Sequence, residues 1–116
     1  MRAENAQEIL TNIEVQPDLK IATAKVFQSD TMSFYLASVA GEVPCHYHKL
    51  SDEMYYIYKG RGRMSVGDAY RDVGEGDIII IPKGAVHGLK NTTSGDLVIF
   101  FITSPPFDPD KDRFVV

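Results

Sequence analysis

Residues 76–91 read GDIIIIPKGAVHGLKN. Four consecutive isoleucines, Ile78 to Ile81, are strong strand formers, and the PKG that follows is built of residues that reverse a chain. A strand with one wet face alternates apolar and polar side chains, and this one does not alternate. LVIFFI, residues 97–102, is apolar throughout in the same way. Both strands are therefore expected to be covered on two faces. A barrel interior covers one, and a second sheet, the N-terminal segment or another subunit covers the other.

Working outward, KIATAKVF, TMSFYLASVA, MYYIYKG and RMSV read as further strands, rich in β-branched and aromatic residues. QSD, VGD, VGEGD and TTSGD stand between them with Gly, Asp or Ser placed to turn the chain. No 3.6-residue period runs beyond the first dozen residues, so the class is all-β, an antiparallel sandwich or barrel. Asn5 and Glu8 have the spacing of a helix cap, which predicts a short N-terminal helix or turn that Pro17 ends. SPPFDPDKDRFVV, residues 104–116, is rich in proline and charge and reads as a tail laid over the surface, not as a central strand. The expected organisation is one domain over 1–116, with an N-terminal segment 1–19, a barrel over about 20–103 and a tail 104–116.

Composition narrows the functional classes. The chain has 116 residues, 44% of them apolar, enough for one core and too few for two ordinary domains. A net charge of −4 leaves no basic field for a phosphate backbone, so nucleic acid is not an expected partner. No apolar run approaches the roughly 18 residues of a membrane span, and MRAENAQEIL lacks the apolar stretch of a signal peptide. A cytoplasmic protein with no membrane partner is expected. Cys45 is the single cysteine, which excludes an internal disulfide.

PCHYHKLSDE, residues 44–53, carries the chemistry. On an extended chain His46 and His48 point to one face, because side chains alternate across a strand. Two imidazoles converging near the carboxylates of Asp52 and Glu53 suit a transition metal. They equally suit a polar patch, and this stretch alone leaves both readings open. Cys45 faces away from His46, where packing is its expected role.

Taken with residues 76–91, the pattern closely resembles the two motifs of the cupin superfamily, G-x5-H-x-H-x3,4-E-x6-G and G-x5-P-x-G-x2-H-x3-N. Gly76, Pro82, Gly84, His87 and Asn91 match the second at every position. His46, His48, Glu53 and Gly60 match the first, while Gly41 precedes His46 by one residue fewer than the motif asks. The resemblance runs from about Thr31 to Thr103. It implies a cupin-type antiparallel β-barrel, the double-stranded β-helix or jelly roll. It also implies that His46, His48, Glu53 and His87 converge on one divalent transition metal (Mn, Fe, Ni, Zn or Cu), with positions left open for water or substrate. Family spacing prefers Glu53 to Asp52, which is expected to face solvent. Gly60 and Gly84 are expected to take positive φ, and Pro82 to end a strand before the loop of His87.

Members of that superfamily include isomerases, epimerases, dioxygenases, decarboxylases and binding domains, so the fold alone selects no reaction. The expectation is a small-molecule metalloenzyme acting on a sugar, sugar phosphate or hydroxy or keto acid, with isomerase-type chemistry, resembling the mannose-6-phosphate-isomerase-like cupins. An iron-dependent dioxygenase and a non-catalytic ligand sensor are the alternatives. Tyr55 and Ile57 share parity with Glu53 and should point inward. Tyr55 is the candidate catalytic proton-transfer group, with a core tyrosine of satisfied hydroxyl as the plainer reading. Arg61, Arg63, Lys49 and Lys90 could meet an anionic substrate or simply confer solubility. The apolar strands lead to an expected homodimer.

Overall fold

The structure, a computed structural model, describes residues 1–16 and 20–116. Pro17, expected to end the first helix, lies outside the described residues. Helix α1 (Ala6–Thr11) is capped as its sequence asks, with Glu8 N–H donating to Asn5 Oδ1 at 3.1 Å. Among the described residues no helix is long and apolar enough to cross a membrane.

The described residues then form eleven strands: β1 (Glu14–Gln16), β2 (Ile21–Gln28), β3 (Ser33–Val39), β4 (Glu42–Tyr47), β5 (Asp52–Lys59), β6 (Arg61–Val66), β7 (Ala69–Gly74), β8 (Ile78–Ile81), β9 (His87–Asn91), β10 (Leu97–Ser104) and β11 (Phe114–Val115). They form two antiparallel sheets, one ordered β1-β2-β3-β10-β5-β8 and the other β11-β4-β9-β6-β7. This is the all-β jelly-roll architecture expected from the sequence. The inward rows of both sheets meet in one core, where Val39, Ile57, Ile81, Leu89, Leu97 and Ile99 are almost wholly buried. On β5 the alternation is clean, with Glu53, Tyr55 and Ile57 turned in and Met54, Tyr56 and Tyr58 partly covered on the other face.

The two all-apolar strands have different surroundings. On β10, Val98 is buried on the outer face beside Leu10 and Ile13 of the N-terminal segment, and Phe100 packs among Phe34, Tyr56 and Tyr58. On β8, Ile81 is in the core, but Ile78 and Ile80 are 59% and 65% exposed. The expectation that both faces of IIII are covered is therefore not met within one chain. Among the described residues β8 is an edge strand paired only to β5, and its outward isoleucines are left largely uncovered.

Several strands were not legible as such. β9 begins at His87, which was expected to sit in a loop. HGLKN has almost no intrinsic strand signal; it is held by ladders to β4 on one side and β6 on the other. Gly88 permits that approach, since a Cβ there would lie 2.9 Å from Cys45 Sγ and 3.2 Å from the Val43 carbonyl. β7 was hidden by its charges. The C-terminal segment does cross the surface, but Phe114 and Val115 go further and add an edge strand against Tyr47 and His46.

Candidate metal centre

Both sheets deliver side chains to one point. His46 on β4 and His87 on β9 are direct cross-strand partners. Glu53 comes from β5 in the facing sheet, where it lies between Thr103 and Ile81. His48 follows immediately after β4, and its carbonyl accepts the Gly84 N–H at 2.6 Å, tying the turn after β8 to the histidine pair. Gly84 has φ of 84°, a conformation costly for a residue with a Cβ. One ligand atom from each of His46, His48, Glu53 and His87 lies within 4.8 Å of the others, and all four residues are buried.

The histidines are oriented from behind. Nδ1–H of His46 donates to the Pro44 carbonyl at 2.7 Å, that of His87 to the Ala85 carbonyl at 3.0 Å, and that of His48 to the Asp112 carbonyl. A carbonyl can only accept, so each ring carries its proton on Nδ1 and turns the Nε2 lone pair toward the centre. There, His48 Nε2, His87 Nε2 and Glu53 Oε1 are buried without a hydrogen-bond partner. Glu53 Oε1 lies 2.9 Å from His87 Nε2 and 3.6 Å from His48 Nε2. Lone pairs facing one another at such distances repel unless a positive charge lies among them. Three imidazole nitrogens and one carboxylate oxygen fit a divalent transition metal, which would supply that charge.

Electrostatics agree in direction. Burial pushes the Glu53 carboxyl up, but His48 and His87 outweigh it and hold it below its ordinary value. Burial pulls His48 down, and the Glu53 carboxylate and Asp112 carbonyl more than reverse this. Burial, together with its neighbouring histidines, lowers His46 to about 4.

A cavity of about 270 Å³ opens onto the cluster. Tyr55 lines it, with its ring centroid 5.9 Å from that of His87, and burial and Glu53 raise its phenol well above the ordinary value. Asp52, the competing carboxylate, is exposed and instead accepts the Lys83 N–H. None of Arg61, Arg63, Lys49 and Lys90 lines this cavity. Arg63 pairs with Asp72, and Lys49 lies over the Phe114 ring.

The C-terminal segment supplies what the sequence did not reveal. Phe107, Pro109 and Arg113 form part of the cavity wall. Asp112 is buried, its carboxylate accepting the N–H groups of Lys49 and Leu50 while its carbonyl receives His48. The sole hint in the sequence is the pair of aromatic residues, Phe107 and Phe114, that brackets the charges of an otherwise polar tail.

Comparison with known proteins agrees with this geometry. A family model described as Cupin domain matches residues 34–103. An uncharacterized protein of Aquifex aeolicus is 34% identical over 90 residues, which cover 77% of this chain and 73% of that protein. The crystal structure of TT1209 from Thermus thermophilus superposes with a TM-score of 0.80 at 27% identity, over 92% of this chain and 100% of the other. KdgF from a Halomonas species has a TM-score of 0.75 at 20% identity, over 84% of this chain and 87% of its own, a likeness of fold.

Proposed function

This chain belongs to the cupin domain family, and we propose that it is a metal-dependent enzyme acting on a small oxygen-rich metabolite, with isomerase-type chemistry as the first reading. The observation that carries the proposal is the set of buried, partnerless Nε2 and Oε1 atoms aimed at one point beneath an open cavity. His46, His48, Glu53 and His87 would hold the ion, which when bound supplies a Lewis acid for a carbonyl or, as iron, redox capacity. The kinship with mannose-6-phosphate-isomerase-like cupins, a cytoplasmic location and a homodimeric state belong to the same reading.

Tyr55 is the wall residue closest in character to a proton-transfer group. With its phenol raised well above the ordinary value, it remains protonated at neutral pH. It can therefore donate to an oxygen that gains charge, and it does not serve as a resting base. Among the described residues the remaining wall offers no second carboxylate and no further histidine. That favours, as the second reading, chemistry that needs no protein base, as in an iron-dependent dioxygenase.

The test begins with protein purified without added metal. Mass spectrometry should find one divalent transition metal per chain in the wild type and a clear loss in His48→Ala and His87→Ala. Unchanged stoichiometry in either variant overturns the assignment. Sugar phosphates and hydroxy or keto acids are then screened against the Mn, Fe, Ni and Zn forms with oxygen uptake recorded. Oxygen-independent turnover supports the first reading, and iron-dependent oxygen consumption transfers support to the second. Tight binding without turnover makes the protein a ligand sensor.

A further inference from the structure

Among the described residues Arg113 is the one arginine or lysine in the wall of the cavity above the cluster. It is half-buried and makes no ion pair among the described residues. Its neighbour Asp112 cannot neutralise it, because that carboxylate is turned into residues 49–51, where backbone N–H groups and the Ser51 hydroxyl occupy it. Arg113 lines the same cavity as His46, Glu53 and Tyr55, so its charge borders the space above the cluster. Glu53 is the only carboxylate in the wall among the described residues, and its charge is directed to the histidines.

The rest of the wall restricts what can enter. Phe101 stacks on Tyr35 at 4.9 Å with rings nearly parallel, and Phe107 stands edge-on to Tyr35. With Ile21, Val43 and Ile99 they make an apolar, aromatic lining in which Thr23, Tyr35 and Tyr55 are the only hydroxyls. A sugar phosphate would bring several hydroxyls and a dianion into this space. A buried hydroxyl left without a partner is costly, and the wall cannot partner them all. The volume of about 270 Å³ lies just below the usual range for drug-sized ligands.

Building on the metal-site reading, we infer that Arg113 anchors the carboxylate of a small 2-oxo or 2-hydroxy acid whose apolar or aromatic body lies against Tyr35, Phe101 and Phe107. The planar guanidinium can take a carboxylate through two parallel N–H···O bonds, which fixes orientation as well as charge. The oxygen on the neighbouring carbon is then directed toward the four-residue cluster. Within the proposed function, this selects keto and hydroxy acids over sugar phosphates.

The test is calorimetric binding of phenylpyruvate, pyruvate and glucose 6-phosphate to nickel-loaded protein, with metal content and thermal midpoint measured on every sample. Phenylpyruvate is expected to bind more tightly than the other two. Arg113→Gln should weaken it by roughly ten- to a hundredfold, the scale of charge-assisted hydrogen bonds, with metal content and midpoint unchanged. Arg113→Lys, which keeps the charge and loses the fork, should fall between. The titrations are repeated on EDTA-stripped protein to separate the two readings. Binding that still depends on Arg113 without metal supports the anchor and removes the ion from ligand recognition. The anchor is overturned by full metal loading with affinity indifferent to Arg113, by a preference for glucose 6-phosphate, or by no binding of either keto acid at millimolar concentration.

Discussion

His48 is held between opposing demands. Burial disfavours its charged form, yet the Glu53 carboxylate and the Asp112 carbonyl together raise it above the ordinary imidazole value. Without an ion, a proton on His48 is the charge that would balance Glu53. Because its folded value is raised, that proton stabilises the metal-free fold fully below the unfolded value, about 6.5, and the contribution fades as pH rises through the folded value. Glu53 works in the opposite sense, its lowered value giving stability above the ordinary carboxyl range that is lost only in acid. His46, at about 4, stays neutral and ready to ligate through the whole interval. Metal must displace the His48 proton. The gain in thermal midpoint on adding Ni²⁺ or Zn²⁺ should thus be larger at pH 8 than at pH 6, and calorimetry in buffers of different ionisation enthalpy should show proton release near pH 6. A gain that is equal at both pH values, with no proton released, would remove His48 from the assigned role.

At the scale of elements, the C-terminal segment acts as a strap that joins the edge of one sheet to the loop behind the cluster. β11 pairs with β4 through Val115 and His46, and three residues earlier Asp112 closes the 48–51 loop through its carboxylate. Asp112→Ala leaves two backbone N–H groups without that acceptor, a loss of about 1–3 kcal/mol measurable by urea unfolding. It should also loosen His48 and weaken metal binding by roughly ten- to a hundredfold, as for other groups that orient ligands. Asp112→Asn, which keeps one acceptor oxygen, should recover much of both. Destabilisation with metal affinity intact would make the strap merely structural. Why this element was not legible, when the cluster was, is a matter of what spacing encodes. Strand alternation places His46 and His48 on one face, and the two motifs, with their fixed spacings to Glu53 and His87, carry the rest of the set through the family resemblance. Asp112 reaches residue 49 across 63 positions by way of an irregular segment, and no periodicity specifies where such a segment lands. β9 failed for a related reason: its conformation comes from its neighbours' ladders, not from HGLKN itself.

For the molecule as a whole, the unfinished feature is the outer face of the larger sheet. Reading across the register, Phe34 and Leu36 on β3, Phe100 and Ile102 on β10, Met54 and Tyr56 on β5, and Ile78 and Ile80 on β8 form a continuous apolar row. Leu36 is buried and Phe100 is packed among rings, whereas cover runs out toward β8. Exposed isoleucines on an edge strand invite association, which proteins ordinarily suppress with charges or proline at such positions. Here neither is present on the outward side of β8, so the occupant we expect is a second copy of the same chain, related by a two-fold axis that lets one patch serve as its own complement. A standard interface takes about 800 Å² from each partner, near a tenth of the 7092 Å² surface of this chain. None of the side chains in this row lines the cavity above the cluster. Light scattering at tens of micromolar, an ordinary range for a stable homodimer, should give twice the chain mass. Replacing both Ile78 and Ile80 by Glu should convert the protein to a monomer with its metal content unchanged, since neither side chain reaches the core. Wild-type protein that scatters as a monomer would mean that the exposed row serves no self-association, and a dimer that survives the double substitution would place the interface on another face.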